Sequence, residues 1–218
     1  DLIIDKMIPE VKEKDLAKFI DVFCEKGVFS VEESREILEA GQKHGLFAKV
    51  HADEIEPLGG AELAAEVGCV SAEHLVAASD KGIKMMAEEG VVAVLLPATS
   101  FNLQLGKFAK AKQMIEEGVA VALSTDYNPG SSPTENMQLV MNFASIIMRL
   151  TPEEVITAAT INAAAALKLE EEIGSIEVGK KADIVIFDAP NLDYIIYHFG
   201  INHTDSVIKD GKLVYKKA

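Results

Sequence analysis

Four side chains stand where short apolar stretches of the sequence end, and all four can bind a metal ion or move a proton. His51 ends the first stretch and Glu54 follows it, His74 ends the second, and Asp126 ends the third. Such stretches are typical of buried parallel strands, and (β/α) barrels place their reacting groups at the carboxyl ends of strands. The sequence therefore predicts that these four side chains share one rim of a sheet.

The residue types favour hydrolysis of a C–N bond at a metal centre. Neutral imidazole and carboxylate suit a divalent ion such as zinc or iron, so His51 and Asp126 are candidate ligands. A bound metal lowers the pKa of water toward about 7, and a second imidazole and a glutamate, here His74 and Glu54, could carry its proton to a leaving nitrogen. Two ligands are fewer than the three that catalytic zinc usually has, and the sequence contains no His-x-His.

Each of these residues also has a purely structural explanation. His51 and Glu54 could form a surface pair, and a histidine that closes an apolar strand, such as His74, is often packed in a core. The loop after Asp126 contains Asn-Pro-Gly-Ser, which is ordinary turn chemistry. It becomes a candidate ligand-binding loop because it follows a carboxylate that would be costly to bury unpaired. Asp53 is interpreted as a loop or structural residue.

Strands and helices alternate along most of the chain. Apolar runs predict strands near 20–24, 47–51, 70–74, 91–96 and 119–125. Helices are predicted at 1–19, 30–45, 58–67, 79–90, 106–117, 135–149 and 152–168. Alternation at this interval indicates parallel βαβ units and an α/β fold.

Two helix starts carry strong local signals. Ser30 is followed three residues later by Glu33, which predicts a capping box. Thr151, Pro152 and Glu154 occupy the N-cap, first and third helical positions of the last predicted helix.

After residue 174 the sequence becomes rich in β-forming residues. Residues 184–188 are predicted to form a strand, and 206–215 to fold about Asp210-Gly211, a strong hairpin signal. The sequence therefore predicts two parts, a (β/α) portion over 1–173 and a β segment over 174–218.

Composition limits the class of protein. With 49% hydrophobic and 26% charged residues the 218-residue chain is typical of a folded protein, and its net charge of −14 argues against nucleic acid or anionic membrane partners. No apolar run is long enough for a membrane span, and residues 1–6 do not resemble a signal peptide. Cys24 and Cys69 offer no disulfide framework, so a cytoplasmic protein with reduced thiols is expected.

Seven segments of the sequence carry a further signal: HADEI at 51–55, SAEHL at 71–75, VLLPAT at 94–99, STDYNPGSS at 124–132, TPEE at 151–154, GSIE at 174–177 and the segment 180–188. Together they resemble the imidazolonepropionases, histidine-degradation enzymes of the amidohydrolase superfamily. The resemblance covers essentially the whole chain. It implies an α/β fold consisting of a partial TIM-like (β/α)8 amidohydrolase barrel, strands four to eight, with part of a small β-sandwich at the carboxyl terminus.

The resemblance also implies an activity, in which water opens the imidazolone ring of 4-imidazolone-5-propionate to give N-formimino-L-glutamate in L-histidine catabolism. One divalent metal, Zn²⁺ or Fe, is implied for each site. The implied metal ligands are His51 and Asp126, the catalytic residues Glu54, His74 and Asp126, and the substrate-binding residues Glu54, Asn128, Gly130 and Ser131.

The sequence departs from that family by lacking its first half, which carries the His-x-His ligands and the first barrel strands. We therefore expect this chain alone to be inactive, and to form a homodimer or associate with the missing amino-terminal half. One alternative is another amidohydrolase, such as an aminopyrimidine or guanine deaminase, although the loop at 128–131 speaks against it. The other is a non-catalytic half-barrel that folds only against a partner chain or a copy of itself.

Overall fold

Five short strands form a parallel sheet in the computed structural model, which describes residues 2–218. They are β1 (Phe19–Cys24), β2 (Phe47–Ala52), β3 (Ser71–His74), β4 (Val92–Leu95) and β5 (Val121–Leu123). The sheet order is β1-β2-β3-β4-β5, and the pairs β1–β2, β2–β3 and β3–β4 are parallel. All five predicted strands are confirmed.

Helices connect these strands. After a π-helical turn at Ile3–Met7 come α1 (Ile8–Glu13), α2 (Val31–Lys43), α3 (Gly60–Val67), α4 (Asp80–Glu89), α5 (Pro97–Asn102), α6 (Ala111–Glu116), α7 (Met137–Ile146), α8 (Pro152–Ala159), α9 (Ile161–Ala165) and α10 (Leu192–Tyr197). The predicted capping box of Ser30 and Glu33 is confirmed at the start of α2. The predicted helix start at Thr151 is also confirmed, and there Thr151 and Glu154 form a capping box of their own at the start of α8.

Three predicted helices have different limits. The helix predicted over 1–19 ends at Glu13, since Asp15 has φ 49°; residue 1 lies outside the described part of the chain. The helix predicted over 106–117 begins only at Ala111, because Lys110 has φ −78° and ψ 56°, which are not helical. The helix predicted over 152–168 is interrupted at Thr160, whose φ −125° and ψ −93° are not helical. Sequence reasoning missed α5 and α10.

The chain divides into two compact units, and the first contains most of the parallel sheet. It runs to Leu95 and includes Ala109–Val121. Helices α2 and α3 pack on strands β1 to β3. The buried residues Val22, Val50 and Ala72 fill the space between them, so the charged groups of these strands lie on the opposite face.

The second unit comprises Leu96–Phe108 and Ala122–Ala218. It contains α5, α7 to α10 and an antiparallel sheet of β6 (Ile184–Phe187), β7 (Thr204–Lys209) and β8 (Lys212–Lys216), in the order β6-β7-β8. Asp210 and Gly211 join β7 to β8 with φ 48° and 74°, which confirms the predicted hairpin. The domain limits 1–173 and 174–218 stay a prediction. Among residues 2–218, no helix is long and apolar enough to cross a membrane.

Candidate active site

Neighbouring strands bring two imidazoles together in the first unit. β2 and β3 pair in parallel with Ala52 opposite His74, so their carboxyl ends lie side by side. The rings of His51 and His74 are 5.3 Å apart between centroids, at an interplanar angle of 53°. The expectation that these two rings share one rim is therefore confirmed.

Glu54 lies beside His74 in a buried environment. Its Oε2 is 3.7 Å from His74 Nε2, and the exposed fractions of the two residues are only 6% and 4%. His74 has φ 71°, and the following Leu75 has φ 58°. Left-handed backbone at residues other than glycine is strained and clusters at functional sites. The chain accepts that strain at the position where the imidazole faces the carboxylate.

A polar network lies beneath His51 on the same face of the sheet. Asp21 Oδ1 is 3.0 Å from His51 Nδ1. Glu73 contacts the Lys49 ammonium at 3.2 Å and accepts a hydrogen bond from Ser71 Oγ at 2.6 Å. Burial raises the pKa of the Glu73 carboxyl above its ordinary value, and the opposing effects of Lys49 and Ser71 offset this only in part.

This network includes a possible metal-binding group. Asp21, His51 and Glu73 each offer one ligand atom, all within 4.8 Å of one another. Because the Lys49 ammonium already neutralises Glu73, we interpret the group as a salt-bridged layer that supports His51. It is not assigned as a second metal centre.

Asp53 fixes the loop that carries Glu54. Its Oδ1 accepts hydrogen bonds from the backbone N–H groups of Leu58, Gly59 and Gly60, and its Oδ2 accepts one from Ala61, at 2.9–3.1 Å. A carboxylate at a helix N-terminus satisfies amides that lack a partner within the helix. The structural role predicted for Asp53 is confirmed.

In the second unit, Asp126 follows β5 and has φ 52°. Its Oδ2 accepts a hydrogen bond of 2.6 Å from Thr99 Oγ1 on α5. The hydroxyl therefore restricts the orientation of the Asp126 carboxylate.

The loop after Asp126 is organised by the Asn128 side chain. Asn128 Oδ1 accepts from the N–H groups of Gly130 and Ser131 at 2.8 and 2.7 Å. Its Nδ2 donates to Asp126 O and to Ser131 Oγ, both at 2.8 Å, and Ser131 O accepts from Asn102 Nδ2 at 2.9 Å. Asn128 shapes the loop, and Gly130 is exposed on it.

Sequence reasoning missed Asp21 and Thr99, which contact the candidate metal ligands His51 and Asp126. Asp21 is a carboxylate inside the predicted strand 20–24, and a charge in an apolar run is a signal that could have found it. Thr99 carries no such signal, because its contact with Asp126 depends on a helix that was not predicted.

Comparison with known proteins identifies the family. The model of the amidohydrolase family matches residues 6–214. The chain is 65% identical over 217 residues to the imidazolonepropionase of Alkaliphilus oremlandii, covering 100% of this chain and 51% of that protein. It is 60% identical to the imidazolonepropionase of Alkaliphilus metalliredigens, again over 100% of this chain and 51% of the other. The chain thus spans about half the length of these curated relatives.

Solved structures of the same fold are more distant in sequence. A zinc-bound adenosine deaminase from Xanthomonas campestris superimposes with a TM-score of 0.80 at 22% identity, over 95% of this chain and 55% of that one. A 5-methylcytosine deaminase from Klebsiella pneumoniae gives 0.79 at 18% identity, over 96% and 60%. These likenesses concern the fold alone. Together with the match to the amidohydrolase family model, they confirm the predicted fold class, a partial amidohydrolase barrel with an additional β segment. Since the family model matches nearly the whole chain, this chain belongs to the amidohydrolase family.

Proposed function

We propose that this chain supplies half of an imidazolonepropionase, in which water opens the ring of 4-imidazolone-5-propionate to give N-formimino-L-glutamate. The observation that carries the proposal is the buried pair of Glu54 and His74, 3.7 Å apart at adjacent strand ends. The pair lies in a chain that is 65% identical to an imidazolonepropionase. An imidazole and a carboxylate at this spacing can relay a proton, which hydrolysis of a C–N bond requires.

His51 and Asp126 would hold one divalent metal, Zn²⁺ or Fe. Both are suitable donors, and each has a neighbour that orients it: the Asp21 carboxylate faces His51 Nδ1, and Thr99 donates to Asp126. A carboxylate on Nδ1 fixes the imidazole so that Nε2 is the coordinating atom. A bound metal would supply a water molecule with a pKa near 7. Two residues are fewer than the three usual ligands, so further ligands would come from outside these 218 residues.

His74 and Glu54 would handle the proton. In the proposal His74 orients the attacking water through its imidazole, and Glu54 faces the substrate ring and transfers the proton to the ring nitrogen that leaves. In the proposal Asp126 also accepts a proton from this water, besides binding the metal. General acid–base groups of this kind contribute about 10²–10⁴-fold to rate.

The loop organised by Asn128 would contact the substrate. The exposed backbone of Gly130 and the Ser131 hydroxyl lie on this loop, and the four hydrogen bonds of the Asn128 amide hold it in shape. Substrate contact by Asn128, Gly130 and Ser131 is part of the proposal. So are a cytoplasmic location and assembly, either as a homodimer or with an amino-terminal half.

A ring-opening assay tests the proposed function. The 218 residues are assayed alone and joined to the half of the Alkaliphilus oremlandii imidazolonepropionase that they do not match, here called the completed protein. We expect the completed protein to open imidazolonepropionate with zinc or iron supplied, to lose activity with a chelator and to regain it with metal. We expect no turnover by the 218 residues alone.

Three other outcomes would contradict this proposal. Deamination of an aminopyrimidine or guanine without ring opening would favour the deaminase alternative. Turnover by the 218 residues alone would show that they hold a complete site. A completed protein that folds and binds metal but opens no ring would support a non-catalytic half-barrel, and its size in solution would then show whether it pairs with a copy of itself.

A further inference from the structure

A buried glutamate lies directly after β1 and takes no part in the chemistry proposed above. Glu25 is 2% exposed, and a buried carboxylate is costly unless donors surround it. Its Oε2 accepts a hydrogen bond of 2.9 Å from the Ile55 backbone N–H. Its Oε1 accepts from the N–H groups of Glu56 at 3.3 Å and Lys26 at 2.8 Å. Glu25 therefore reaches from the end of β1 into the loop that follows β2.

The two distant donors are the residues that directly follow Glu54. On its other side, Asp53 anchors the same loop through four backbone amides, and the Asp53 carbonyl accepts from Ala77 N–H at 2.7 Å. The backbone of Glu54 is thus held at both sides, by Glu25 after it and by Asp53 before it.

We propose that Glu25 is a positioning residue that holds Glu54 in its reactive orientation; this inference rests on the proposed function. Hydrogen bonds to an ionised carboxylate are about twice as strong as neutral ones, so Glu25 restrains residues 55 and 56 more firmly than a neutral side chain would. Since Ile55 is bonded directly to Glu54, this restraint limits how far the Glu54 carboxylate can move from His74. Such preorganisation matters because a displacement of about 1 Å can cost about 100-fold in rate.

Two variants of the completed protein test the idea. Glu25→Gln keeps the size of the side chain but removes its charge and replaces one acceptor oxygen with a donor, so we expect kcat to fall about 10- to 100-fold. Glu36→Gln, on the exposed side of α2, is the matched control and should retain the kcat of the unchanged protein.

A double variant separates positioning from general support of the fold. If Glu25 acts through Glu54, Glu25→Gln should lower kcat much less when Glu54→Gln is already present, because coupled residues are non-additive. A fold-stabilising role alone would lower the melting temperature and leave kcat per folded molecule unchanged. Full kcat in Glu25→Gln, or an additive loss in the double variant, would overturn the proposal.

Hydrogen exchange gives a readout that does not need activity. In the unchanged protein the Ile55 and Glu56 amides should exchange slowly although these residues are exposed, and Glu25→Gln should accelerate them about tenfold or more. Fast exchange in the unchanged protein would overturn the proposal even if the variant fails to fold. If the unchanged protein opens no ring, the proposed function fails instead, and slow exchange would then support only the restraint of the loop by Glu25.

Discussion

His74 adopts a left-handed backbone while its Nε2 lies 3.7 Å from Glu54 Oε2. A left-handed conformation costs a residue with a side chain about 1–2 kcal/mol, and it persists only where the surroundings enforce it. Here the surroundings include the buried Glu54 and the neighbouring ring of His51. We infer that the strained backbone of His74 lowers local stability but orients its imidazole toward Glu54.

Replacing His74 by asparagine should separate chemistry from folding. Asparagine tolerates the left-handed conformation better than most residues, so His74→Asn removes the imidazole with little added strain. We expect ring opening by the completed protein to fall about 10²–10⁴-fold, with the same circular dichroism spectrum. His44→Asn, after α2, is the control and should keep full activity. A His74→Asn protein as active as the control would remove His74 from the proposed mechanism.

The Thr99 hydroxyl should tune metal binding through Asp126. Thr99→Val keeps the shape but deletes the 2.6 Å hydrogen bond to Asp126 Oδ2, whereas Thr99→Ser retains a hydroxyl. Loss of such an outer contact typically costs about 10–100-fold in metal affinity. Competition with a fluorescent zinc chelator should therefore show weakened binding for Thr99→Val and near-normal binding for Thr99→Ser. Equal affinities would show that Asp126 needs no orientation by this hydroxyl, or that it is not a ligand.

Replacing Gly60 with alanine should destabilise the protein, because Gly60, at the start of α3, lies very close to Ala52 at the end of β2. A Cβ added there would lie 2.6 Å from Ala52 Cβ and 3.1 Å from Ala52 Cα. Such overpacking typically destabilises by about 1–3 kcal/mol, and urea denaturation of the completed protein measures it. Adding Ala52→Gly removes the Ala52 Cβ and should recover part of the lost free energy of unfolding. If the effects of the two substitutions simply add, the destabilisation has a cause other than this contact.

The two cysteines should be inert in the folded protein. Both are buried. Burial, with a smaller effect of the nearby Glu73 carboxylate, raises the pKa of the Cys69 thiol to about 12. Because the thiolate is the reactive form, a thiol reagent at pH 8 should label neither residue in the native state and both in guanidinium. Rapid labelling of the native protein would contradict this assignment.

The raised pKa of Cys69 also predicts how stability changes with pH. The folded state holds the thiol proton up to about pH 12, whereas the unfolded state releases it near the ordinary value of 9.0. The folded state therefore binds more protons between these values, and the contribution of Cys69 to stability is complete below pH 9 and lost as the pH rises toward 12. Denaturation at pH 8 to 10 gives the free energy of unfolding of the unchanged protein and of Cys69→Ala. The amount by which the unchanged protein exceeds the variant should shrink as the pH increases.

Features with local causes could be predicted from the sequence. Ser30 and Thr151 each find their partner three residues along the chain, and the hairpin at Asp210-Gly211 depends on adjacent residues with positive φ. The five strands could be predicted because they recur at the interval of βαβ units. Most of them are largely apolar, although β1 contains Asp21 and β2 contains Lys49. The six-residue helix α5 could not, since Pro97 signals only where the preceding strand ends and the helix is too short to show a period.

The contacts within the candidate site could be predicted only in outline. Strand ends placed His51 near His74 because parallel strands share an edge. Glu25 accepts hydrogen bonds from backbone amides that lie 30 and 31 residues further along the chain. Thr99 donates a hydrogen bond to the carboxylate of Asp126, 27 residues away. No rule of sequence spacing links residues so far apart. The left-handed φ of His74 could not be predicted either, because no feature of the amino-acid sequence around it indicates that conformation.

The hydrogen bonds that leave Glu25 and Asp53 also have a consequence for redesign. Through Glu25 the segment after β1 is bonded to the loop after β2, and through the Asp53 carbonyl that loop is bonded to Ala77, in the segment after β3. Grafting one of these segments from a relative with different specificity would break the bonds to the others. The three segments should therefore be transplanted as one block, and natural recombination should conserve them together.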